Sequence, residues 1–325
     1  APAVTTLDTG DIQGLVVRGH GALAEARFLL LKVADAELAR RYLQRLCGRE
    51  RPRVNTAAVS PDTHAIQVAF TDPGLRALGV PGPVCDTFAR ELVEGMDHPV
   101  RAESLGDRNR GEPSPLKWSD RDVHVLLMVY AKDSDTLKHV LGEERAIIEA
   151  GAFEVVHEKT TTMLPEQKEH FGWRDGLSMP SFLGVPHERP RKKPQPSWTE
   201  PLQAGEIVLG YPNEYKAYSE SPTAALADDP AGHLAATADG SHKDLGRNGT
   251  YLVYRELLQH VSELWSYLQA ASDPVERRAD KAIELGAKMV GRWPGGAPLT
   301  MSPDHDDPRH KNANAFRYVK EDEVG

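Results

Sequence analysis

One aspartate held between two glycines is the feature of this chain with the clearest chemical potential. Asp175 lies between Gly172 and Gly176 in a Gly-x-x-Asp-Gly pattern. Because glycine has no Cβ, such a loop can turn tightly and let its backbone approach a flat ligand. The loop also presents one carboxylate that can take up and return a proton. Taken alone, the pattern is more often a simple Asx-type turn, so its interpretation depends on the rest of the chain.

The first half of the chain alternates short apolar runs with amphipathic stretches. The apolar runs predict four strands, at residues 28–33, 65–70, 123–130 and 155–161. Apolar residues at helical spacing predict helices between these strands, the longest over residues 134–150. A regular strand–helix alternation of this kind is typical of an antiparallel sheet covered by helices, which is an α+β arrangement.

The second half has a different character. Residues 183–248 are rich in Pro, Gly, Asp and Ser, and we expect this loop-rich insertion to lie largely outside the main sheet of either domain. The apolar run at 250–254 predicts a strand, and residues 256–270 predict an amphipathic helix. A further helix is predicted to start at Asp273-Pro274 and to run towards Val290.

Four other phrases accompany the Gly-x-x-Asp-Gly loop, in one order along the chain. They are Asp-Ile-Gln-Gly at 11–14, Gly-Thr-Tyr-Leu-Val-Tyr-Arg at 249–255, Met-Val-Gly-Arg-Trp at 289–293 with Gly-Ala-Pro-Leu at 296–299, and Asn-Ala-Phe-Arg-Tyr at 314–318. With that loop, they resemble the dye-decolorizing peroxidases, a family of haem enzymes. The third phrase resembles a loop of the longer bacterial branch of that family. The resemblance covers essentially the whole chain.

The resemblance implies two ferredoxin-like domains, each an antiparallel sheet covered by helices. The N-terminal domain would span residues 1–165. Residues 166–325 would hold the Gly-x-x-Asp-Gly loop, the loop-rich insertion and the first part of the C-terminal domain. We therefore expect the second domain to be incomplete within this chain.

The resemblance also implies haem b at the junction of the two domains, with hydrogen peroxide and bulky organic reductants as substrates. Asp175 would be the catalytic acid–base group on the distal side of the iron. The residues expected to bind the cofactor line one loop and are Gly172, Asp175, Gly176, Leu177 and Ser178. The two variable positions of the motif, Trp173 and Arg174, are interpreted as a packing residue and as a member of a surface ion pair.

The family's iron ligand is not found in this sequence. Its proximal histidine lies in a Cys-Pro-x-x-Ala-His-Ile-Arg-Arg-like phrase, which none of the thirteen histidines matches. His305 and His310 are nearest in position, but a solvated acidic loop is the preferred interpretation of that stretch over a metal site. We expect the proximal histidine and a distal arginine outside residues 1–325, on a C-terminal segment or a second polypeptide. The alternative is a non-catalytic haem-binding or structural subunit that keeps the peroxidase fold.

Composition excludes several other classes of protein. The formal net charge of −9 argues against nucleic acid, whose phosphates require a basic face. No apolar run of 18 residues is present, so no membrane span is expected. Two cysteines, and a start without the features of a signal peptide, favour a cytoplasmic location. A secreted form whose signal has been removed is the alternative.

Overall fold

The computed structural model describes residues 6–48, 53–107, 122–177, 181–185 and 201–314. The chain divides into two compact units. Of the described residues, those up to Thr162 form the first unit together with 182–185 and 202–252, and the remainder form the second. The domain ranges expected from the sequence, 1–165 and 166–325, stay predictions.

The first unit is built on a four-stranded antiparallel sheet with short helices between its strands. Strand order across the sheet is β2-β3-β1-β4, and all three pairings are antiparallel. In chain order the elements up to residue 162 are α1 Gly14–Val17, β1 Glu25–Val33, α2 Ala36–Cys47, β2 His64–Phe70, α3 Asp72–Ala77, α4 Gly82–Cys85, α5 Arg90–Glu94, α6 Pro99–Ser104, β3 Val125–Ala131, α7 Ser134–Ile147 and β4 Phe153–Thr162.

The side chains of the central strands alternate between the two faces of the sheet. Leu29 and Leu31 of β1 lie with Leu127 of β3 in the main core, and each is fully buried. Helices α2 and α7 cover this face, because Tyr42 and Leu137 belong to the same buried cluster. The predicted α+β class, with an antiparallel sheet packed against helices, is confirmed for this unit.

Local capping explains where the two main helices begin. Asp35 precedes α2, and its carboxylate accepts hydrogen bonds from the backbone amides of Glu37 (2.8 Å) and Leu38 (2.9 Å). Asp133 caps α7 in the same way, accepting from the amide of Thr136 at 2.8 Å. These bonds satisfy amide donors that the first turn of a helix leaves free.

The rest of the first unit is rich in loops and contributes no strand to the four-stranded sheet within its described residues. It forms a small antiparallel sheet of its own, in the order β5-β7-β6. Its strands have two residues each and are β5 Thr223–Ala224, β6 Ala235–Ala236 and β7 Lys243–Asp244. Among residues 201–248, the expectation of a loop-rich stretch outside the main sheet is therefore confirmed.

The described residues of the second unit form two α-helices, α8 Val261–Ser272 and α9 Ala279–Val290, with short 3-10 helices at Pro165–Gln167 and Pro308–His310. Leu268 of α8 and Ala282 of α9 are fully buried and pack in one cluster with Trp173. Two small residues four positions apart in α9, Ala282 and Gly286, are both buried, and their size allows the other side chains of the cluster to pack closely against this helix. No helix in the described part of the chain has the length and apolar character that crossing a bilayer requires.

Three sequence predictions for this region are wrong. Residues 250–254 are not a strand, the helix expected from residue 256 begins at Val261, and the helix expected from Asp273-Pro274 begins at Ala279. An apolar, β-branched run becomes a strand only where a neighbour accepts and donates its backbone hydrogen bonds. In the described residues, the backbone groups of Leu252 and Val253 have no such neighbour.

Candidate functional site

The Gly-x-x-Asp-Gly loop forms the return strand of a small hairpin in the second unit. The amide of Glu169 donates to the carbonyl of Trp173 at 2.8 Å, and the amide of Asp175 donates to the carbonyl of Gln167 at 3.0 Å. Lys168 and Arg174 form the antiparallel bridge between these two bonds. The backbone of Asp175 is therefore held by a regular hydrogen-bond pattern rather than by the aspartate side chain.

The two glycines of the motif adopt backbone conformations that favour glycine. The φ angle of Gly172 is +102° and that of Gly176 is +71°. A side chain at either position would be strained in this region of φ, whatever space surrounds it. We find the motif turning on both sides of Asp175, as the sequence indicated.

The preceding residues of the hairpin, Glu166 and Gln167, have positive φ values of 59° and 57°. Such values are uncommon for residues with a Cβ, and they cluster at ligand sites and tight turns. The ammonium group of Lys168 lies 2.8 Å from a carboxylate oxygen of Glu166 and lowers the pKa of that carboxyl group. The turn that begins the hairpin therefore carries a negative charge that is already paired.

Trp173 fixes the hairpin to the two helices. Its side chain is buried, its indole nitrogen donates to the carbonyl of Arg292 at 2.9 Å, and it stacks on Trp265 with 5.4 Å between ring centroids and 12° between ring planes. The prediction that Trp173 is a packing residue is confirmed. Because the residue two positions earlier than Asp175 is immobilised in the core, the aspartate has a firm support.

Arg174 does not make the predicted surface ion pair among the described residues. Its guanidinium donates to the side-chain oxygen of Asn312 at 2.8 Å, to the carbonyl of Lys311 at 3.3 Å and to the side-chain oxygen of Gln167 at 3.2 Å. These acceptors are neutral, and two of them are more than 130 positions away in the sequence. The residue ties the hairpin to a distant loop.

The side chain of Asp175 is exposed, and its carboxylate makes no hydrogen bond to a described residue. Leu177 is half-buried. Ser178, the last of the residues expected to bind the cofactor, lies outside the described residues. The described part of the loop thus presents an exposed carboxylate close to two glycines, which have no Cβ.

A cavity of about 520 Å³ lies beside the hairpin. Its wall combines two cations and two carboxylates with backbone and amide groups, and it is formed by Glu166, Gln167, Arg174, Gly295, Asp306, Pro308 and Lys311. The amide of Gly295 donates to the carboxylate of Asp306 at 2.6 Å, and Lys168 pairs with Glu166, so both carboxylates are engaged.

The histidines nearest the chain's end do not form a metal site in the described residues. His305 is exposed, and the ring nitrogen Nδ1 of His310 lies 3.0 Å from the hydroxyl of Ser302. No cluster of three potential metal ligands occurs in the described ranges. The prediction of a solvated acidic loop holds for most of this stretch, since residues 303–305, 308 and 309 are exposed. Asp307 is the exception, because it is buried and pairs with Arg309 at 2.6 Å, which lowers the pKa of Asp307.

Sequence reasoning did not single out Arg292 or Asn312 as part of this site. Arg292 lies in the Met-Val-Gly-Arg-Trp phrase, and the phrase was the available signal. Asn312 carried no signal, because its contact with Arg174 depends on how the chain returns to the hairpin.

Comparison with known proteins finds dye peroxidases of several organisms. A dye-decolorizing peroxidase of Mycena epipterygia is 28% identical over 334 residues, covering 96% of this chain and 55% of that protein. A multifunctional dye peroxidase of an Amycolatopsis species is 25% identical, covering 97% of this chain and 62% of that protein. No protein-family model matches the chain.

Solved structures show the same fold. The chain superposes on an ancestral D-type dye-decolorizing peroxidase with a TM-score of 0.73 at 23% identity, covering 96% of this chain and 64% of that structure. A dye-decolorizing-type peroxidase of Auricularia auricula-judae gives a TM-score of 0.69 at 22% identity, with 97% and 64% covered. The chain spans a little over half the length of the curated relatives cited above. It is therefore related to the dye-decolorizing peroxidases, by distant homology, over nearly all of its own length.

Proposed function

We propose that this chain forms the distal side of a haem peroxidase of the dye-decolorizing type. The enzyme reduces hydrogen peroxide and oxidises bulky organic reductants. The observation that carries the proposal is Asp175, which lies exposed between two glycines of positive φ in a chain related to these enzymes, with no partner for its carboxylate among the described residues. A carboxylate on a hairpin that is held by backbone hydrogen bonds is suited to transfer a proton at a defined position.

The residues present fit a flat cofactor on this side. A Cβ added at Gly176 would meet no atom of a described residue within 4 Å, which leaves space for a ligand beside the loop in this part of the chain. We propose that Gly172, Gly176, Leu177 and Ser178 line one face of haem b and that Asp175 projects towards it. The bound haem would supply the redox chemistry, and the chain supplies positioning and proton handling.

Asp175 would act on the peroxide itself. Its carboxylate oxygen would accept the proton from one peroxide oxygen and return it to the other, which would leave as water when the O–O bond breaks. The two electrons that this cleavage needs would come from the bound haem. The exchange needs a base that reaches both oxygens and is shielded from bulk water. Since Asp175 is exposed here, that shielding would come from the cofactor and from the polypeptide that completes the site.

We propose that the axial histidine and the distal arginine are supplied from outside residues 1–325. A C-terminal segment or a second polypeptide of the longer bacterial type would bring both groups. The same polypeptide would complete a second ferredoxin-like domain. Apolar side chains of the second unit that no described residue covers support this, since Val253, Leu257 and Leu258 are 73%, 69% and 83% exposed.

The experiment that tests the proposal is a haem titration of the chain, alone and with a longer polypeptide that carries the missing C-terminal portion. We expect a Soret band and peroxide-dependent dye oxidation in the completed protein. In that protein, Asp175→Asn should retain the Soret band and slow the reaction with peroxide by about 10²- to 10⁴-fold. An Asp175→Asn variant that reacts as fast as the parent protein contradicts the proton-transfer role.

A second candidate function is a haem-binding or structural subunit without turnover. It is favoured by the histidines of the chain, because none of the thirteen matches the phrase that carries the family's iron ligand. The same titration separates the two functions. A completed protein with a Soret band but no peroxide-dependent oxidation supports the subunit.

A further inference from the structure

A segment near the end of the described residues is held by two arginines from different parts of the chain. We call residues 311–314 the return segment. Arg174, in the hairpin, donates to the carbonyl of Lys311 at 3.3 Å and to the side-chain oxygen of Asn312 at 2.8 Å. One guanidinium therefore contacts two consecutive residues of the return segment.

Arg292 holds the other half of the return segment. Its guanidinium donates to the carbonyl of Ala313 at 2.8 Å and to the side-chain oxygen of Asn314 at 2.8 Å. It also donates to the carbonyl of Gly296 at 2.9 Å, within its own loop. Four successive residues thus accept hydrogen bonds from two guanidinium groups, either through a carbonyl or through an amide side chain.

The two arginines are joined through the core of the second unit. The carbonyl of Arg292 accepts the hydrogen bond of the Trp173 indole at 2.9 Å, and Trp173 immediately precedes Arg174. The planar, five-donor guanidinium suits such a role because it loses little freedom per hydrogen bond formed. Donors with a full charge also make stronger bonds than neutral ones.

We infer that Arg174 and Arg292 are positioning residues for Asp175, and that they act by fixing the hairpin against the return segment. This inference rests on the proposed function, in which Asp175 is the group that handles the proton. The Asp175 carboxylate makes no bond of its own among the described residues, so its place is set by its neighbours. Arg174 precedes Asp175 directly and bonds to the return segment.

Hydrogen exchange of the whole chain tests the inference without cofactor. The probe is the amide of Asp175, which bonds to the carbonyl of Gln167 at 3.0 Å. Asn312→Ala removes an acceptor of Arg174 and leaves the hairpin sequence unchanged. We expect it to accelerate exchange at Asp175 by about tenfold, because a bond to a charged donor is lost. Asn312→Asp, which keeps an oxygen acceptor, should restore the slow exchange.

Three further variants complete the design. Arg174→Lys keeps the positive charge but lacks the planar guanidinium that donates to several acceptors at once. It should accelerate exchange as Asn312→Ala does. The double variant Arg174→Gln with Asn312→Ala should exchange no faster than Arg174→Gln alone, because that substitution already removes the bond to Asn312 together with those to Lys311 and Gln167. Arg278→Gln is the control, since Arg278 pairs with Asp280 on an exposed surface of the same unit and should leave Asp175 unaffected.

The outcomes separate this inference from the proposed function. Unchanged exchange at Asp175 in Asn312→Ala, or additive effects in the double variant, overturns the inference even if the completed protein binds haem. Accelerated exchange with rescue by Asn312→Asp supports it even if no haem binds, and the proposed function then fails separately. In a haem-loaded protein, Asn312→Ala should also lower the rate with peroxide while the Soret band is retained.

Discussion

Trp173 lies against Gly286 so closely that a Cβ at position 286 would stand 2.6 Å from the indole ring. This contact joins the hairpin that carries Asp175 to the middle of helix α9. Glycine within a helix normally costs stability, so its presence here requires a reason. The reason is the approach of Trp173, which no other residue would allow without a shift of the ring.

We predict that Gly286→Ala destabilises the second unit by about 1 to 3 kcal/mol, although the substitution favours the helix locally. The matched control is Gly142→Ala in helix α7, where a Cβ would meet nothing within 4 Å. That variant should be more stable than the parent by about 0.5 to 1 kcal/mol. Chemical unfolding of both variants checks the prediction, and two changes of the same sign would refute it.

We predict that Tyr211→Phe destabilises the first unit by about 1 to 3 kcal/mol. The buried hydroxyl of Tyr211 donates to Asn248 at 2.6 Å and accepts from the amide of Asp8 at 3.1 Å, so its removal leaves both partners without that bond. Tyr215→Phe is the control, since Tyr215 is 88% exposed and should change stability by less than about 0.5 kcal/mol. Equal unfolding midpoints for the two variants would contradict the role of the hydroxyl.

We predict a loss of stability between about pH 7 and pH 5 that depends on His20. Burial, with the charge of Arg18, lowers the pKa of His20, and its Nε2 atom has no hydrogen-bond partner in the described residues. The unfolded chain therefore binds a proton at higher pH than the folded one, so stability falls as pH falls below about 6.5. Unfolding of His20→Gln across this range should show a shallower pH dependence, and an unaltered slope would disprove the assignment.

We predict that Asp229, a carboxylic acid, contributes a second loss of stability at acidic pH. The amides of Leu234 and His233 and the ammonium of Lys243 lower the pKa of Asp229 to about 2. Its contribution to stability is complete above the unfolded pKa of about 3.9 and is lost as pH falls towards 2. Asp229→Asn should make the unfolding midpoint depend less on pH between pH 4 and pH 2. Asp62→Asn, at an exposed site, should leave that pH dependence unchanged.

Much of the first unit could be predicted from the sequence because its signals are local. Strands β1 and β3 are visible in the sequence as short apolar runs. The caps at Asp35 and Asp133 lie within three residues of the amides that they satisfy. The two turns around Asp175 could also be predicted, because a positive φ is a property of glycine itself.

The remaining features depend on residues that are far apart in the chain. The apolar run at 250–254 has the composition of a strand, but a strand exists only with a neighbour to share its hydrogen bonds, and the sequence of the run does not state which neighbour is present. The contacts of Arg174 were predicted wrongly for the same reason, because its acceptor Asn312 lies 138 positions away.

By itself the sequence determined the Gly-x-x-Asp-Gly turn and the strands of the main sheet, since these follow from backbone sterics and periodicity. Only the tertiary structure decided what holds Asp175 in place, since packing and hydrogen bonding join Trp173 to Gly286 and Arg174 to Asn312 across more than a hundred residues.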